Sequence, residues 1–467
     1  MISFINQNLV IIPELFLTIW MIGILVFGVS VKKNIPYIRI LMSCGIFLSI
    51  ILLISIDSSN EAILSGRFVL DEFAKTSKII ILFIAAIAFL IGSIPEKTES
   101  NEYYPLLLLI FIGAMCSISC TDILSFFIAL EIQGLGLYII VANSIKDVKR
   151  GEAALKYFII GSLGSGLFLY GSSLVYGETG TLFFDEIKIF LENSENNVMT
   201  SIGAFLIFIS LFFKLSIAPF HVWSPDVFEK TPFTNLIYVS TFSKLTAVFL
   251  FVTLLIKAFS GALSPYVFFF LALLSIAIGA FGAFRQENFR RLLGYSSIIN
   301  MGFVLLAIGN LTQDGYKAGI MYTIFYVVTS LIIFAKTIHL EERGFNLQKI
   351  SQLNGFIKVS KFSTIAFTIC FFSLAGIPPL TGFLGKVFVI KSLFSDNKFT
   401  YVAIIAVAMS VVAASYYLNL IKNMIFPCED SLENDLVVLE KRKYIATLYV
   451  FLLILCLVFM FFNPMFF

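Results

Sequence analysis

The sequence has little charge and little histidine for its length. Only 13% of its 467 residues are Asp, Glu, Lys or Arg, and only two are His. A soluble domain is about a quarter charged, so this chain lacks the polar surface that a water-soluble protein needs. The net charge of +3 provides no basic excess for binding nucleic acid. A soluble globular enzyme is excluded, and nothing in the sequence indicates nucleic-acid binding.

The sequence also lacks the motifs that hold redox cofactors. It contains no Gly-rich nucleotide loop, no flavin or nicotinamide fingerprint, and no His or Cys ligand set for haem or an iron–sulfur cluster. Its six cysteines mostly lie inside apolar runs, where they act as small hydrophobic residues. We therefore expect this chain to bind no cofactor and no metal, and to move ions without carrying electrons.

Hydrophobic residues make up 59% of the chain, in runs of about 20 residues that recur from end to end. That length crosses the hydrocarbon core of a bilayer as a helix, and the runs do not alternate as barrel strands do. The sequence predicts an all-α polytopic membrane protein with about 14 transmembrane helices. The predicted spans are 9–31, 38–56, 73–94, 104–120, 123–142, 152–176, 200–218, 235–259, 265–284, 290–309, 316–339, 362–390, 399–426 and 444–462.

Proline interrupts the seventh span at Ala218-Pro219 and the twelfth at Pro378-Pro379. Proline breaks a helix, and broken backbone is tolerated at membrane depth only where protein or a water-filled cavity satisfies it. Each break falls in the fourth span of a five-helix block, namely helices 4–8 and helices 9–13. Because each block has an odd number of helices, the second block would have the opposite orientation in the membrane. This pattern is typical of an inverted-topology repeat with an ion pathway at the breaks. The predicted domains are three N-terminal helices (1–103), a first repeat (104–264), a second, inverted repeat (265–426), and a loop with helix 14 (427–467).

Basic residues are unevenly divided between the loops. When the loops are numbered by the helix that precedes them, odd loops hold 19 of the 32 Lys and Arg residues and even loops hold 8. By the positive-inside rule, the odd loops face the cytoplasm or the mitochondrial matrix. Both termini are then predicted to lie on the opposite side of the membrane.

Five ionisable residues lie well inside apolar runs: Glu131, Lys156, Lys214, Lys244 and Lys386. A charge at the bilayer centre costs about 2.5–3.5 kcal/mol, so such residues pair, line water or exchange protons. A static Glu–Lys pair, or a lysine that extends to the interface in the case of Lys156, is the structural alternative. Four lysines and one glutamate cannot all pair, and burial favours the neutral amine. These residues are predicted to form a proton relay.

His221 lies at the first break and has two possible roles. Its ring can cap the carbonyl groups that the broken helix leaves free. Its titration near neutral pH also suits a relay between Lys214 and Lys244. The sequence leaves both roles open.

Three motifs resemble the antiporter-like subunits of respiratory complex I, and the resemblance extends over roughly residues 10–465. They are the broken helix of residues 214–229, the segment 290–298, and the second break with Lys386 in residues 374–386. The segments 129–138 and 176–185 resemble the fourteen-helix branch of this family, which lacks a long lateral helix. Two departures are Glu229-Lys230-Thr231-Pro232, where the family usually has Glu-Gly-Ala/Ser-Pro, and Asn300, where it often has histidine.

The resemblance implies a proton-translocating membrane-arm subunit of NADH:ubiquinone oxidoreductase. Glu131 would be the charged residue of helix five, Lys156 its helix-six partner, and Lys214 the lysine at the break. Lys244 and Lys386 would be the later relay lysines. As a non-redox subunit, the chain would have no catalytic centre of its own, and NADH, flavin, iron–sulfur clusters and ubiquinone would be bound by partner subunits.

The expected partners are other membrane-arm subunits, including neighbouring antiporter-like subunits, and membrane lipids. The abundance of Phe, with 53 residues, and the presence of the three first helices indicate the inner membrane of a mitochondrion outside animals. A bacterial plasma membrane is the alternative location. A subunit of a cation/proton antiporter is the alternative function, and a purely structural membrane scaffold is a third.

Overall fold

The computed structural model of the chain describes residues 10–30, 35–92, 102–142, 148–193, 198–394 and 399–426. The predicted span 444–462, and the segment 427–467 that contains it, lie outside these residues. The N-terminal part consists of α1 (Ile12–Ser30), α2 (Ile35–Ser55), the antiparallel strands β1 (Ser59–Ile63) and β2 (Phe68–Leu70), and α3 (Glu72–Ile91).

The next part of the chain leads to the first break and beyond it. Its helices are α4 (Tyr103–Ser119), α5 (Ile123–Ala142), α6 (Val148–Thr179), α7 (Phe184–Asn193), α8 (Val198–Leu215), α9 (Trp223–Lys230), α10 (Phe233–Ile237) and α11 (Ser243–Lys257). A π-helical segment, Tyr238–Phe242, joins α10 to α11.

The last described part contains the second break. Its helices are α12 (Pro265–Phe284), α13 (Phe289–Ile308), α14 (Gln313–Glu342), α15 (Lys361–Ala375), α16 (Thr381–Phe394) and α17 (Thr400–Ile425), with 3₁₀ turns at Ile350–Leu353 and Phe356–Lys358.

Within the described residues, ten helices are long and apolar enough to cross a membrane, and three more are shorter and apolar. Each of the first thirteen predicted spans overlaps one of these helices, and the twelfth, 362–390, also covers most of α16 beyond its break. The polytopic helical prediction is confirmed. The all-α prediction missed the β1–β2 hairpin, which forms in a polar loop where no apolar run signals it. The amphipathic helix α7 lies in another polar loop and was also missed.

Local capping signals explain where several helices begin. The side chain of Asp71 accepts a hydrogen bond from the Ala74 amide at 2.7 Å and starts α3. Asn288 caps α13 in the same way, through the Arg291 amide at 3.1 Å. These caps satisfy amides that a helix start leaves without partners.

Contacts within the chain divide it into two compact units. Unit 1 contains residues 1–213 and 249–263, and unit 2 contains residues 214–248 and 264–467. Unit 1 therefore includes α1 to α7 and the hairpin, whereas unit 2 includes both breaks. The predicted repeats, 104–264 and 265–426, group the chain by internal symmetry, and their bounds remain a prediction.

Candidate proton pathway

The first break begins where α8 ends at Leu215. Ser216 takes a left-handed conformation with φ of 61°, and the Ala218–Pro219 peptide is cis. The Ala218 amide donates to the Ser275 hydroxyl of α12 at 2.9 Å. A neighbouring helix thus satisfies an amide that the break removes from the helix ladder, as a buried backbone group requires.

Lys214 and His221 lie on the two sides of this break. Lys214 is in the last turn of α8 and only 4% exposed. His221 is half-buried and donates to the backbone of Pro219. Its Nδ1 atom is buried and has no hydrogen-bond partner in the described part of the chain. His221 therefore bonds to backbone at the break, and its relay role stays a prediction.

Lys244 is the second residue of α11 and is completely buried. Its amine donates to the Ser297 hydroxyl of α13 and lies 5.7 Å from the centroid of the Phe228 ring. Within the described ranges, no carboxylate pairs with it. The π-helical segment Tyr238–Phe242 ends just before it, and such segments are frequent at functional sites. The sequence carries no signal for this segment.

A set of buried polar side chains on α13, α14 and α17 contacts this lysine through Ser297; we call it the hydroxyl cluster. Asn300 donates to the Ser296 carbonyl at 2.7 Å and accepts from the Tyr322 hydroxyl at 2.8 Å. The members of the cluster are Ser296, Ser297, Asn300, Tyr322, Tyr326, Ser330 and Tyr417. None of them was predicted as a site residue, because Ser and Tyr are ordinary residues of apolar helices and Asn300 was noted only as a departure from the family's histidine.

Hydrogen bonds connect the cluster in two branches. Tyr326 bonds to both Ser297 and Ser330. Lys244 is therefore connected through Ser297 to Tyr326 and Ser330. The Ser296 hydroxyl bonds to that of Tyr417. A small cavity lined by Ser296, Tyr326, Ser330 and five apolar residues adjoins these hydroxyls, with room for about one water molecule.

Lys386 lies at the second break, on α16, and is 6% exposed. Its amine donates to the carbonyl of Ala375, the last residue of α15, at 2.8 Å. The amine is also 5.0 Å from the centroid of the Phe303 ring. A Cβ atom on Gly376, where φ is 85°, would lie 2.8 Å from the Lys386 side chain. Glycine therefore permits both the left-handed turn and the approach of the lysine to the free helix end.

The hydroxyl cluster extends from Lys244 to the neighbourhood of Lys386. The Tyr322 ring packs so closely on the backbone of Gly385 that a Cβ atom there would lie 2.4 Å from it. The same ring is 6.1 Å from the ring of Phe303, centroid to centroid. Unit 2 thus places Lys244 in contact with one branch of the cluster, and Lys386 one residue after the glycine against which Tyr322 packs.

Glu131 and Lys156 belong to unit 1. Glu131 is half-buried on α5 and accepts a hydrogen bond from the Ser165 hydroxyl of α6 at 2.7 Å. Lys156 is half-buried on α6, nine residues before Ser165, or about 13–14 Å along a helix. The structure thus brings Glu131 to the predicted helix, where Ser165 donates to it; the partnership with Lys156 stays a prediction.

Two arginines at the start of α13 hold the short helix that follows the first break. Arg291 contacts Asp226 and Glu229 of α9, each at 2.8 Å. Arg290 donates to the Thr231 carbonyl at 3.3 Å and pairs with Glu341 of α14 at 2.5 Å. The conformation of the chain after the break is thus fixed by side chains from other helices of unit 2.

Comparison with known proteins identifies relatives along most of the chain. The family described as NADH:quinone oxidoreductase/Mrp antiporter, TM, matches residues 120–413. Subunit N of the NADH-quinone oxidoreductase of Maricaulis maris is 34% identical over 422 residues, which cover 88% of this chain and 87% of the relative. Subunit N from Rhodobacter capsulatus is 35% identical over 422 residues, with 89% and 88% covered.

Solved structures share the fold. A chain of respiratory complex I from Thermus thermophilus has a TM-score of 0.79 at 24% identity and matches over 96% of both chains. A chain of the Mrp complex from Dietzia sp. also has a TM-score of 0.79, at 20% identity, covering 91% of this chain and 82% of that one.

The broken helices and buried lysines define an antiporter-like membrane subunit, and the chain belongs to the NADH:quinone oxidoreductase/Mrp antiporter family. Within that family, its curated relatives are bacterial subunits N. The resemblance to the antiporter-like subunits of complex I, and within them to bacterial subunit N, is therefore confirmed, and with it the prediction of a proton-translocating membrane-arm subunit.

Proposed function

We propose that this chain moves protons through its own buried side chains while NADH oxidation and quinone reduction occur in partner subunits. The observation that carries this proposal is Lys244. It is a completely buried amine without a carboxylate partner in the described residues, and it is bonded to a hydroxyl cluster. A permanently charged, unpaired amine is costly inside a membrane, whereas an amine that exchanges its proton is charged only part of the time.

In the proposed route, the Lys244 ammonium gives a proton to the Ser297 hydroxyl, which passes on its own proton. Tyr326 and the adjacent water-sized cavity continue the transfer towards Ser296 and Tyr322. Lys386 then receives the proton at the second break. Asn300 orients the Tyr322 hydroxyl by accepting its hydrogen bond, and its amide stays neutral throughout.

At the first break, Lys214 and His221 are proposed as the groups that exchange protons with Lys244. In unit 1, Glu131 and Lys156 are proposed to set the charge on the pathway. A carboxylate holds a nearby lysine in its protonated form, and loss of that carboxylate charge releases the proton. The hydrogen bond from Ser165 fixes the orientation of Glu131 for this role.

In the proposed complex, partner subunits supply the redox cofactors and the substrate-binding sites. The chain would have no catalytic centre of its own, and flavin, iron–sulfur clusters, NADH and ubiquinone would bind to its partners. Neighbouring antiporter-like subunits and membrane lipids would surround it. The composition favours the inner mitochondrial membrane, while the bacterial origin of its relatives supports the alternative, a bacterial plasma membrane.

A cation/proton antiporter subunit is the second candidate, because an Mrp complex contains the same fold. Purification of the tagged chain from its native membrane separates the two candidates. We expect it to copurify with bound flavin and NADH:quinone activity. Copurification with cation/proton exchange activity and no flavin would establish the antiporter instead.

Substitution of Glu131 by Gln tests the charge-setting role. The amide keeps the size of the side chain and its bond with Ser165, but removes the charge. We expect proton uptake per NADH in membrane vesicles to fall about tenfold, equivalent to about 1.4 kcal/mol on the barrier, in a complex that still assembles. Ser165→Ala keeps the charge and serves as the matched control, with a smaller expected loss. Undiminished proton uptake by assembled Glu131→Gln would remove Glu131 from the pathway.

A further inference from the structure

A buried ion pair lies in unit 1, and neither of its residues belongs to the pathway described above. The amine of Lys78, on α3, is 2.5 Å from the Oε1 atom of Glu14, on α1. Lys78 is 0% exposed and Glu14 is 3% exposed. The eight basic residues assigned above to the even loops include Lys78, because it lies near the predicted start of the third span. The structure corrects this assignment, because the chain buries Lys78 completely.

The hairpin covers this pair. The ring of Phe68, in β2, lies 4.7 Å from the Lys78 amine. Phe68 also pairs with Cys120, just after α4, and the Thr121 amide donates to the Arg67 carbonyl at 3.2 Å. The hairpin is thus attached to the end of α4, and the pair lies beneath it between membrane helices.

The pair is incompletely satisfied. The second carboxylate oxygen of Glu14, Oε2, is buried and has no hydrogen-bond partner in the described residues. The same is true of the hydroxyls of Ser77, next to Lys78, and Ser119, next to Cys120. A buried ion pair contributes to stability only when its remaining hydrogen-bonding capacity is satisfied, and apolar residues of similar size often stabilise a protein as well or better. Stability alone therefore does not explain Glu14 and Lys78.

We propose that Glu14 and Lys78 form a second proton-exchanging site of this subunit, outside the matched residues 120–413. A hydrated proton (H3O⁺) would transfer its proton to Oε2 and leave a water molecule, so that a neutral carboxylic acid stands beside the Lys78 ammonium. Return of that proton to water restores the carboxylate. Because Glu14 is the third residue of α1, the site lies near the membrane face where α1 begins. The proposal rests on the proton-translocating function.

Chemical labelling tests the protonation step directly. Dicyclohexylcarbodiimide, an apolar reagent that modifies protonated carboxyl groups in membranes, would be applied to the native complex, and the peptide containing Glu14 analysed by mass spectrometry. We expect modification of Glu14, and stronger modification in Lys78→Met, where no ammonium stabilises the carboxylate. Absence of modification in the native complex would overturn the proposal, whether or not the variants assemble.

Proton uptake tests the role of the site in transport. The double variant Glu14→Leu/Lys78→Met removes both charges together and leaves no unpaired ion. We expect its proton uptake per NADH to fall about tenfold. Lys257→Met is the control, because Lys257 also forms a 2.5 Å ion pair in unit 1, with Asp71, but both side chains are 22% exposed. If the assembled double variant takes up as many protons per NADH as the wild type, the pair has only a structural role and the proposal is overturned.

The two proposals fail in different ways. Normal proton uptake by Lys244→Ala would contradict the pathway in unit 2 and would leave the labelling of Glu14 unaffected. Unlabelled Glu14 together with impaired Lys244→Ala would reject only the second site.

Discussion

Replacement of Lys244 by alanine or by arginine is expected to lower proton uptake about 100-fold, which corresponds to about 2.7 kcal/mol on the barrier. Alanine removes the amine that gives its proton to Ser297 in the proposed route. Arginine keeps a positive charge at the same position. We expect arginine to be no better than alanine.

The reason lies in the difference between an amine and a guanidinium. A guanidinium stays protonated under any shift that a protein imposes, so it cannot release a proton to a neighbouring hydroxyl. It is also larger than the Lys244 amine, which is 0% exposed and packs near the Phe228 ring. Arginine at position 244 would therefore be both crowded and permanently charged, and no carboxylate among the described residues would balance that charge.

Vesicles that contain the assembled variant complexes provide the measurement, with proton uptake and quinone reduction followed together. Lys257→Arg is the matched control, because Lys257 lies on the same helix and its ion pair with Asp71 requires only a positive charge. Full proton uptake by Lys244→Arg would mean that position 244 needs a charge and not a titrating group. The relay through Lys244 would then be wrong.

Substitution of Gly382 by Ala is expected to prevent assembly of the second break. A Cβ atom at this position would lie 1.8 Å from the carbonyl oxygen of Ser373 on α15. The Gly382 amide also donates to the Ser373 hydroxyl at 3.1 Å, so the two backbone segments are held together at this point. Because the Cβ atom would clash with backbone and not with a flexible side chain, α15 and the start of α16 would have to move away from each other.

Overpacking of a well-packed site costs about 1–3 kcal/mol and more when the backbone must shift, so we expect destabilisation at or above the upper end of that range. The amount of assembled subunit in the membrane and the thermal midpoint of the purified complex are the measurements. Gly177→Ala is the control, because a Cβ atom there meets nothing within 4 Å and alanine favours a helix. A Gly382→Ala subunit as abundant and as stable as wild type would contradict this close approach.

The sequence by itself determined the membrane spans and the two breaks. Each span depends on the length of an apolar run, and each break depends on proline, so neighbouring residues are sufficient to specify both. The buried lysines 214, 244 and 386 were also identifiable, because a charge within an apolar run is a local feature. Their roles in proton transfer are still predictions.

Only the tertiary structure decided which polar groups meet. Lys244 bonds to a serine 53 residues away, Ser296 to a tyrosine 121 residues away, and Lys78 to a glutamate 64 residues away. No periodicity in the sequence specifies such pairs, because they depend on which helices pack together and on which faces turn inward. Lys78 shows the physical reason most clearly. Its position along α3 resembles that of an interfacial lysine, and it is buried because a hairpin from the preceding loop folds over it.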